Sequence, residues 1–298
     1  MPNILKKLNS FTAMRVKYGS YAVIASSAAP YNISVTVVSG GGGSFGLSAS
    51  GGGGGMLEVT GEPLTIGTTY TIQVGGGGNK AINATGQPNT PGVNSYFGTT
   101  SIAQGGGKGF GVGSDGGSGG SSFNGGVAGV ATQTSTLYGT GYGYAGSTQP
   151  LSGTGYAGGG AGGAGGAGQP HPNTTLGYGG TGGTGRYGAI FTATGYAGGG
   201  GGGGSGAGRE GFASSPSVFG GGNGGYPGVD GTDGKGGGAG GSNDGSVNTG
   251  AQGGSGVVVL KIPTASYSGI TTGIPAVDTT TAVGFTILTY TGNGSYTA

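Results

Sequence analysis

The chain of 298 residues has no cysteine, no tryptophan and one histidine. Without cysteine, disulfides and thiolate metal sites are excluded. His171 sits between Gln169-Pro170 and Pro172-Asn173, with no second imidazole in the chain, so it reads as a turn residue and no metal is expected. Charge is scarce as well: 10 basic and 8 acidic residues leave a net charge of +2. Disordered chains of low hydrophobicity usually stay soluble through charge, and this chain has little to use. No segment approaches the roughly 20 apolar residues of a membrane helix, so no membrane insertion is expected. Lys6, Lys7, Arg15 and Lys17 precede Tyr21-Ala22-Val23-Ile24-Ala25, but that apolar stretch is too short for a signal peptide. The expectation is synthesis in a cytoplasm without a secretion signal.

What the chain has instead is glycine, 88 residues of it, gathered in runs such as Gly40–Gly43, Gly51–Gly55, Gly75–Gly78 and Gly198–Gly204. Glycine loses more backbone freedom on folding than any other residue. That cost must be recovered through backbone packing, which points to a structural or adhesive protein and away from an enzyme. Collagen would need glycine strictly every third residue and abundant proline; here glycines are consecutive and prolines number 12.

Three regions follow. Residues 1–30 form a basic segment in which Ile4, Leu5 and Leu8 would share one face of a short helical stretch, with Lys6 and Lys7 outside it. These residues, with Arg15, are candidates for docking into a larger assembly. Residues 31–263 carry the clearest strands. Ile33, Val35 and Val37 alternate with polar residues, Leu57 and Val59 repeat the pattern, and Tyr70, Ile72 and Val74 share a face. Val257–Ile262 is apolar on both faces, as in a central strand, so a sheet is expected to open near residue 31 and close near residue 262. Residues 264–298 form a tail in which Phe285–Tyr290 leads into Gly292-Asn293-Gly294, a hairpin signal, with Ser295–Ala298 as the return strand.

Between the strands, Ala161, Ala164 and Ala167 are separated by Gly-Gly, as are Thr181 and Thr184. A polyproline-II-type helix has three residues per turn and no internal hydrogen bonds, so such side chains would line one edge and leave two edges of bare backbone. The expected fold is therefore mainly β with a glycine-rich polyproline-II-type helical bundle, a small β-sheet frame enclosing layered glycine helices. Thr154–Gly160 recurs as Thr194–Gly200, and the repeat would bury Tyr156 and Tyr196 in similar surroundings.

Catalytic and nucleotide motifs are weak. Gly-x-Gly-x-x-Gly is frequent by composition alone, and Lys108 and Lys235 precede glycine rather than the Ser or Thr of a P-loop. Asp230 and Asp233 lie close in sequence, but in glycine turns where solvated residues are the usual reading; a depolymerase pair is the enzymatic alternative. Beyond residue 17, six basic residues meet eight acidic ones without a basic stripe, so no nucleic acid is expected. No cofactor is indicated. Seven of the 16 tyrosines fall between Tyr138 and Tyr196. Tyrosine offers a flat apolar face and a polar tip at little rotamer cost. Tyr142, Tyr144, Tyr178 and Tyr187, with Arg186, are the candidates for exposed receptor contacts.

Four elements carry a family resemblance. A strand enters a glycine run at Ile33–Gly40, and a run re-enters through a strand and turn at Gly55–Val59 onward to Thr71–Gly75. Asn94-Ser95-Tyr96-Phe97-Gly98 follows, and the domain closes as Gly253–Ile262. In order and spacing the chain resembles the glycine-rich domains of bacteriophage tail-fibre and tail-tip proteins. The resemblance implies a virion protein at or near a fibre tip, assembled in the host cytoplasm and attaching to a bacterial surface receptor. Expected partners are other phage tail or virion proteins, a bacterial surface glycan or outer-membrane protein, and further copies of the chain, with a trimer favoured. A virion component without a receptor, such as a capsid decoration or tail-collar protein, is the structural alternative.

Overall fold

The computed structural model describes residues 14–15, 21–22, 29–82, 87–123, 125–150, 157–173, 175–205, 208–243 and 249–298. The docking candidates Ile4, Leu5, Lys6, Lys7 and Leu8 lie outside the described residues, as does Tyr156. Arg15 belongs to a two-residue ladder of β1 (Met14–Arg15) with β2 (Tyr21–Ala22).

The chain is mainly β. The central strands are β3 (Tyr31–Val38), β4 (Met56–Leu64) and β11 (Val257–Pro263). With β8 (Gly139–Tyr142), β13 (Ala276–Asp278) and β14 (Phe285–Tyr290) they build an antiparallel sheet in the order β13-β14-β11-β3-β4-β8. The second antiparallel sheet runs β12 (Thr271–Thr272), β15 (Gly294–Thr297), β5 (Thr69–Gln73), β6 (Ser95–Phe97) and β7 (Ser101–Ala103). Val258 pairs with Val37 and Leu260 with Val35, so the sheet does close over more than 200 residues of intervening chain.

Alternation in these strands sorts side chains onto two buried faces. Ile33, Val35, Val37, Leu57, Val59, Val258, Leu260 and Ile262 face the second sheet and meet Ile72, Phe97 and Tyr296 there. Val38, Met56, Val257, Val259 and Ile287 point the other way, against Ala164, Tyr196 and Ala197 of the glycine-rich region. The central position of β11 and its two apolar faces follow from this: it is covered on both sides.

The glycine runs beneath that second face are neither helix nor strand. Gly198, Gly199 and Gly200 donate their amides to Phe219, Gly183 and Gly51 at 3.0, 3.0 and 3.1 Å. Gly201, Gly202 and Gly203 then return to the same three neighbours, at Gly222, Gly180 and Ser48, over 3.0, 2.9 and 2.7 Å. The run at 51–55 does likewise: Gly51 and Gly54 donate to Ala239 and Gly236, Gly52 and Gly55 to Gly107 and Gln104, and Gly53 to Gly162. Residues three apart thus share a partner segment, and the backbone polar groups of these buried runs are satisfied on neighbouring chain. Thr181 and Thr184 are exposed while Gly182 and Gly183 between them are buried.

The tail differs from the expected hairpin. β14 pairs with β11 and β13, whereas β15 pairs with β5 and β12 in the other sheet. At the crossing, Asn293 Oδ1 accepts the amide of Val74 at 2.9 Å, tying the turn to the end of β5. The Asn-Gly step therefore connects two sheets instead of folding β14 back on itself.

Candidate functional site

Strand β8 is the edge of the six-stranded sheet, and its pairing with β4 sets Thr140 opposite Glu58 and Tyr142 opposite Met56. A second short ladder, β9 (Arg186–Tyr187) with β10 (Gly195–Tyr196), places Arg186 opposite Tyr196. The Arg186 guanidinium lies 3.7 Å from the centre of the Tyr142 ring, and its Nη2 donates to the Tyr142 hydroxyl at 3.1 Å. Its Nε is 3.4 Å from Glu58 Oε2, and the other carboxylate oxygen of Glu58 accepts the amide of Ala189. Cation, ring and carboxylate are thereby fixed together at a sheet edge, with Arg186 side chain 40% exposed and Glu58 11%.

Beside this group opens a shallow cleft of about 470 Å³, walled by Glu58, Leu137, Tyr138, Thr140, Tyr142 and Ala189. Leu137 is 87% exposed at its rim and Tyr138 42%. The cleft combines an apolar rim, two phenol rings and one acid, which suits a ligand with both apolar faces and hydroxyl groups.

Of the five residues expected at a contact surface, Tyr142, Arg186 and Tyr187 share this neighbourhood. Tyr187 is half exposed and packs edge-on to Phe219, 5.2 Å between ring centres. Tyr178 belongs to a separate cluster: its ring stacks on His171 at 4.6 Å, and the Arg209 guanidinium lies 5.8 Å from it. Tyr144 is 45% exposed on a segment whose backbone carbonyl accepts the amide of Gly119. Tyr196 is buried, as its place in the repeat implied, and burial raises its phenol above the ordinary tyrosine value.

Glu58 and Leu137 were not among the sequence candidates. Glu58 stands 128 residues from Arg186, and nothing local in either segment announces the pairing; the β4–β8 ladder sets Tyr142 beside Glu58, and the separate β9–β10 ladder brings Arg186 onto them. Asp230 and Asp233, the nearest thing to a paired-acid motif, each accept a backbone amide at 2.8 Å, from Gln252 and Ser255. They fasten the chain before β11. His171 accepts the amide of Asn173 at Nδ1 over 3.0 Å, within its turn. Among the described residues there is no group of three or more His, Cys, Asp or Glu able to hold a metal ion, and no helix is long and apolar enough to cross a membrane.

No curated protein matches the chain. A family model described as a glycine-rich domain matches residues 16–263, from the segment before the first long strand to the end of β11. The chain belongs to this glycine-rich domain family.

Proposed function

We propose that the chain is a phage virion protein at the tail fibre or tail tip, which attaches the particle to a bacterial surface receptor through loops carried on a glycine scaffold. The observation that carries the reading is the return of glycine amides to the same neighbour every third residue. In this reading the runs are polyproline-II-type helices, three residues per turn, each satisfied on three neighbours. Such a scaffold asks nothing of side chains, so the loops between runs are free to differ and to bind.

The receptor surface of this reading centres on Tyr142, Arg186 and Tyr187 with the adjoining cleft, and extends to the separate positions Tyr144 and Tyr178. A surface glycan or an outer-membrane protein would meet rigid rings there with little ordering cost. The first residues, with Ile4, Leu5, Lys6, Lys7, Leu8 and Arg15, would dock the chain to other tail or virion proteins, in a homo-oligomer with a trimer favoured.

Replacing Tyr142, Tyr144, Tyr178, Arg186 and Tyr187 together by Ser or Ala tests this. Adsorption of particles should be abolished while fibre assembly persists. Unchanged adsorption would move the chain to the class of virion components without a receptor.

A further inference from the structure

A second cleft lies away from the Arg186 group and is built around one buried acid. Opposite β4, Ile33 pairs with Glu62 and Ser34 with Thr60, so Gly61, at φ +82°, is an extra residue in the ladder. A bulge of this kind shifts the alternation of every residue beyond it. Without it, position 62 would follow Glu58 and Thr60 away from the core. With it, Glu62 sits opposite the core residue Ile33 and is only 7% exposed.

The Glu62 carboxylate accepts two hydroxyls, Thr100 Oγ1 at 3.0 Å and Ser101 Oγ at 3.2 Å. A carboxylate offers about four acceptor positions, so capacity remains. Among the described residues the one salt bridge is Arg186–Glu58, and Glu62 has only neutral partners. A buried charge is costly unless a counter-charge meets it. Glu62 also lines an open cleft of about 630 Å³ with Tyr70, Tyr96, Thr71, Thr99 and Ile102. Tyr96 and Ile102, paired across β6 and β7, line its outer side, on the face of the sheet opposite Phe97; Tyr70 is held with its ring stacked on Phe97 at 5.4 Å and its hydroxyl accepting the amide of Thr65 at 2.8 Å.

We infer that this cleft binds an organic ammonium group, its charge against Glu62 and its carbon substituents against the face of Tyr70 that Phe97 leaves open. An uncompensated carboxylate supplies the counter-ion, and tyrosine faces attract a cation through their quadrupole. Threonine hydroxyls at the rim would take any hydroxyl groups the ligand carries. The site stands on its own geometry and does not rest on the receptor reading above.

The test uses the full chain and four small probes: choline, its uncharged isostere 3,3-dimethyl-1-butanol, glucosamine and glucose. Binding is followed by calorimetry and by tyrosine fluorescence, which no tryptophan obscures. Choline or glucosamine should bind at least about tenfold more tightly than its uncharged counterpart, the scale of one cation–π contact joined to one charged hydrogen bond. Preference for choline marks a quaternary ammonium; preference for glucosamine marks an amino sugar; either supports the site. Glu62→Gln should erase the discrimination between charged and neutral probes. Should Glu62→Gln fail to fold, Tyr70→Leu, which keeps an apolar side chain but removes the ring face, must weaken charged-probe binding several-fold. Equal binding of charged and neutral probes, or no binding of the charged ones, overturns the inference.

Discussion

Neighbouring glycines Gly76 and Gly77 separate backbone packing from mere flexibility. A Cβ at Gly77 would fall onto the carbonyl group of Gly253, well inside the 3.0 Å that real Cβ atoms respect; at Gly76 it would meet nothing within 4 Å, and neither residue has a left-handed φ. To admit Gly77→Ala, the segments 75–78 and 253–256 must part by roughly 1.5 Å to approach ordinary van der Waals separation. Between them run Gly253 N to Gly78 O at 2.9 Å and Gly256 N to Gly75 O at 2.8 Å, and a shift of that size takes both beyond hydrogen-bonding distance. Two lost hydrogen bonds cost about 1–3 kcal/mol, and the residual overpacking adds about 1–3 kcal/mol. The reduced freedom of the unfolded chain offsets only about 0.4–1 kcal/mol. Gly77→Ala should therefore lower the thermal midpoint by roughly 2–9 °C for a chain of this size. Gly76→Ala should leave it level or raise it by a degree or two. Differential scanning calorimetry, with protease digestion as a second readout, makes the comparison. Equal effects of the two substitutions would show that the runs are not packed backbone to backbone.

Other outcomes follow from the same structure. Val35 is 1% exposed between the two sheets, so Val35→Asp, which buries an unpaired charge, should abolish folding; a soluble, protease-resistant variant would show that β3 is not core. Burial raises the phenols of Tyr31, Tyr196, Tyr267 and Tyr290. Groups with a raised folded pKa stabilise fully below the unfolded value of about 10 and lose that contribution as pH rises through the folded one. The thermal midpoint should fall above pH 10, and Tyr31→Phe with Tyr290→Phe should flatten the decline; an unchanged slope would contradict it. Circular dichroism should give a polyproline-II-like signal, and residues 76–254 should resist protease; rapid cleavage at the glycine runs would oppose the scaffold reading.

The strands were legible where side-chain alternation was strong. Ile33, Val35 and Val37 announced a half-buried strand, and the two-faced run at Val257–Ile262 announced its central partner, because burial on one or two faces leaves its mark on consecutive residues. Three features left no such mark. The Gly61 bulge turns Glu62 inward by a single inserted residue; from sequence Gly61-Glu62-Pro63 reads as a turn, whereas these residues continue β4 in its ladder with β3. Asn293-Gly294 carries hairpin chemistry, yet the side chain of Asn293 is taken by Val74 and the return strand joins another sheet. The Arg186–Tyr142–Glu58 group assembles residues far apart in sequence through ladders whose register glycine-rich segments do not encode. Period-three spacing of Ala and Thr marked the triplets, while the partner of each run depends on the whole arrangement.

Attachment at a fibre tip can be checked by locating the chain in a cryo-electron-microscopy map of the particle that carries it. Density for the two sheets and the glycine region is expected at the distal end of a tail fibre or tail tip, with the Tyr142–Arg186 face pointing outward. Density on the capsid shell or tail collar, with that face buried against a neighbouring subunit, would contradict it.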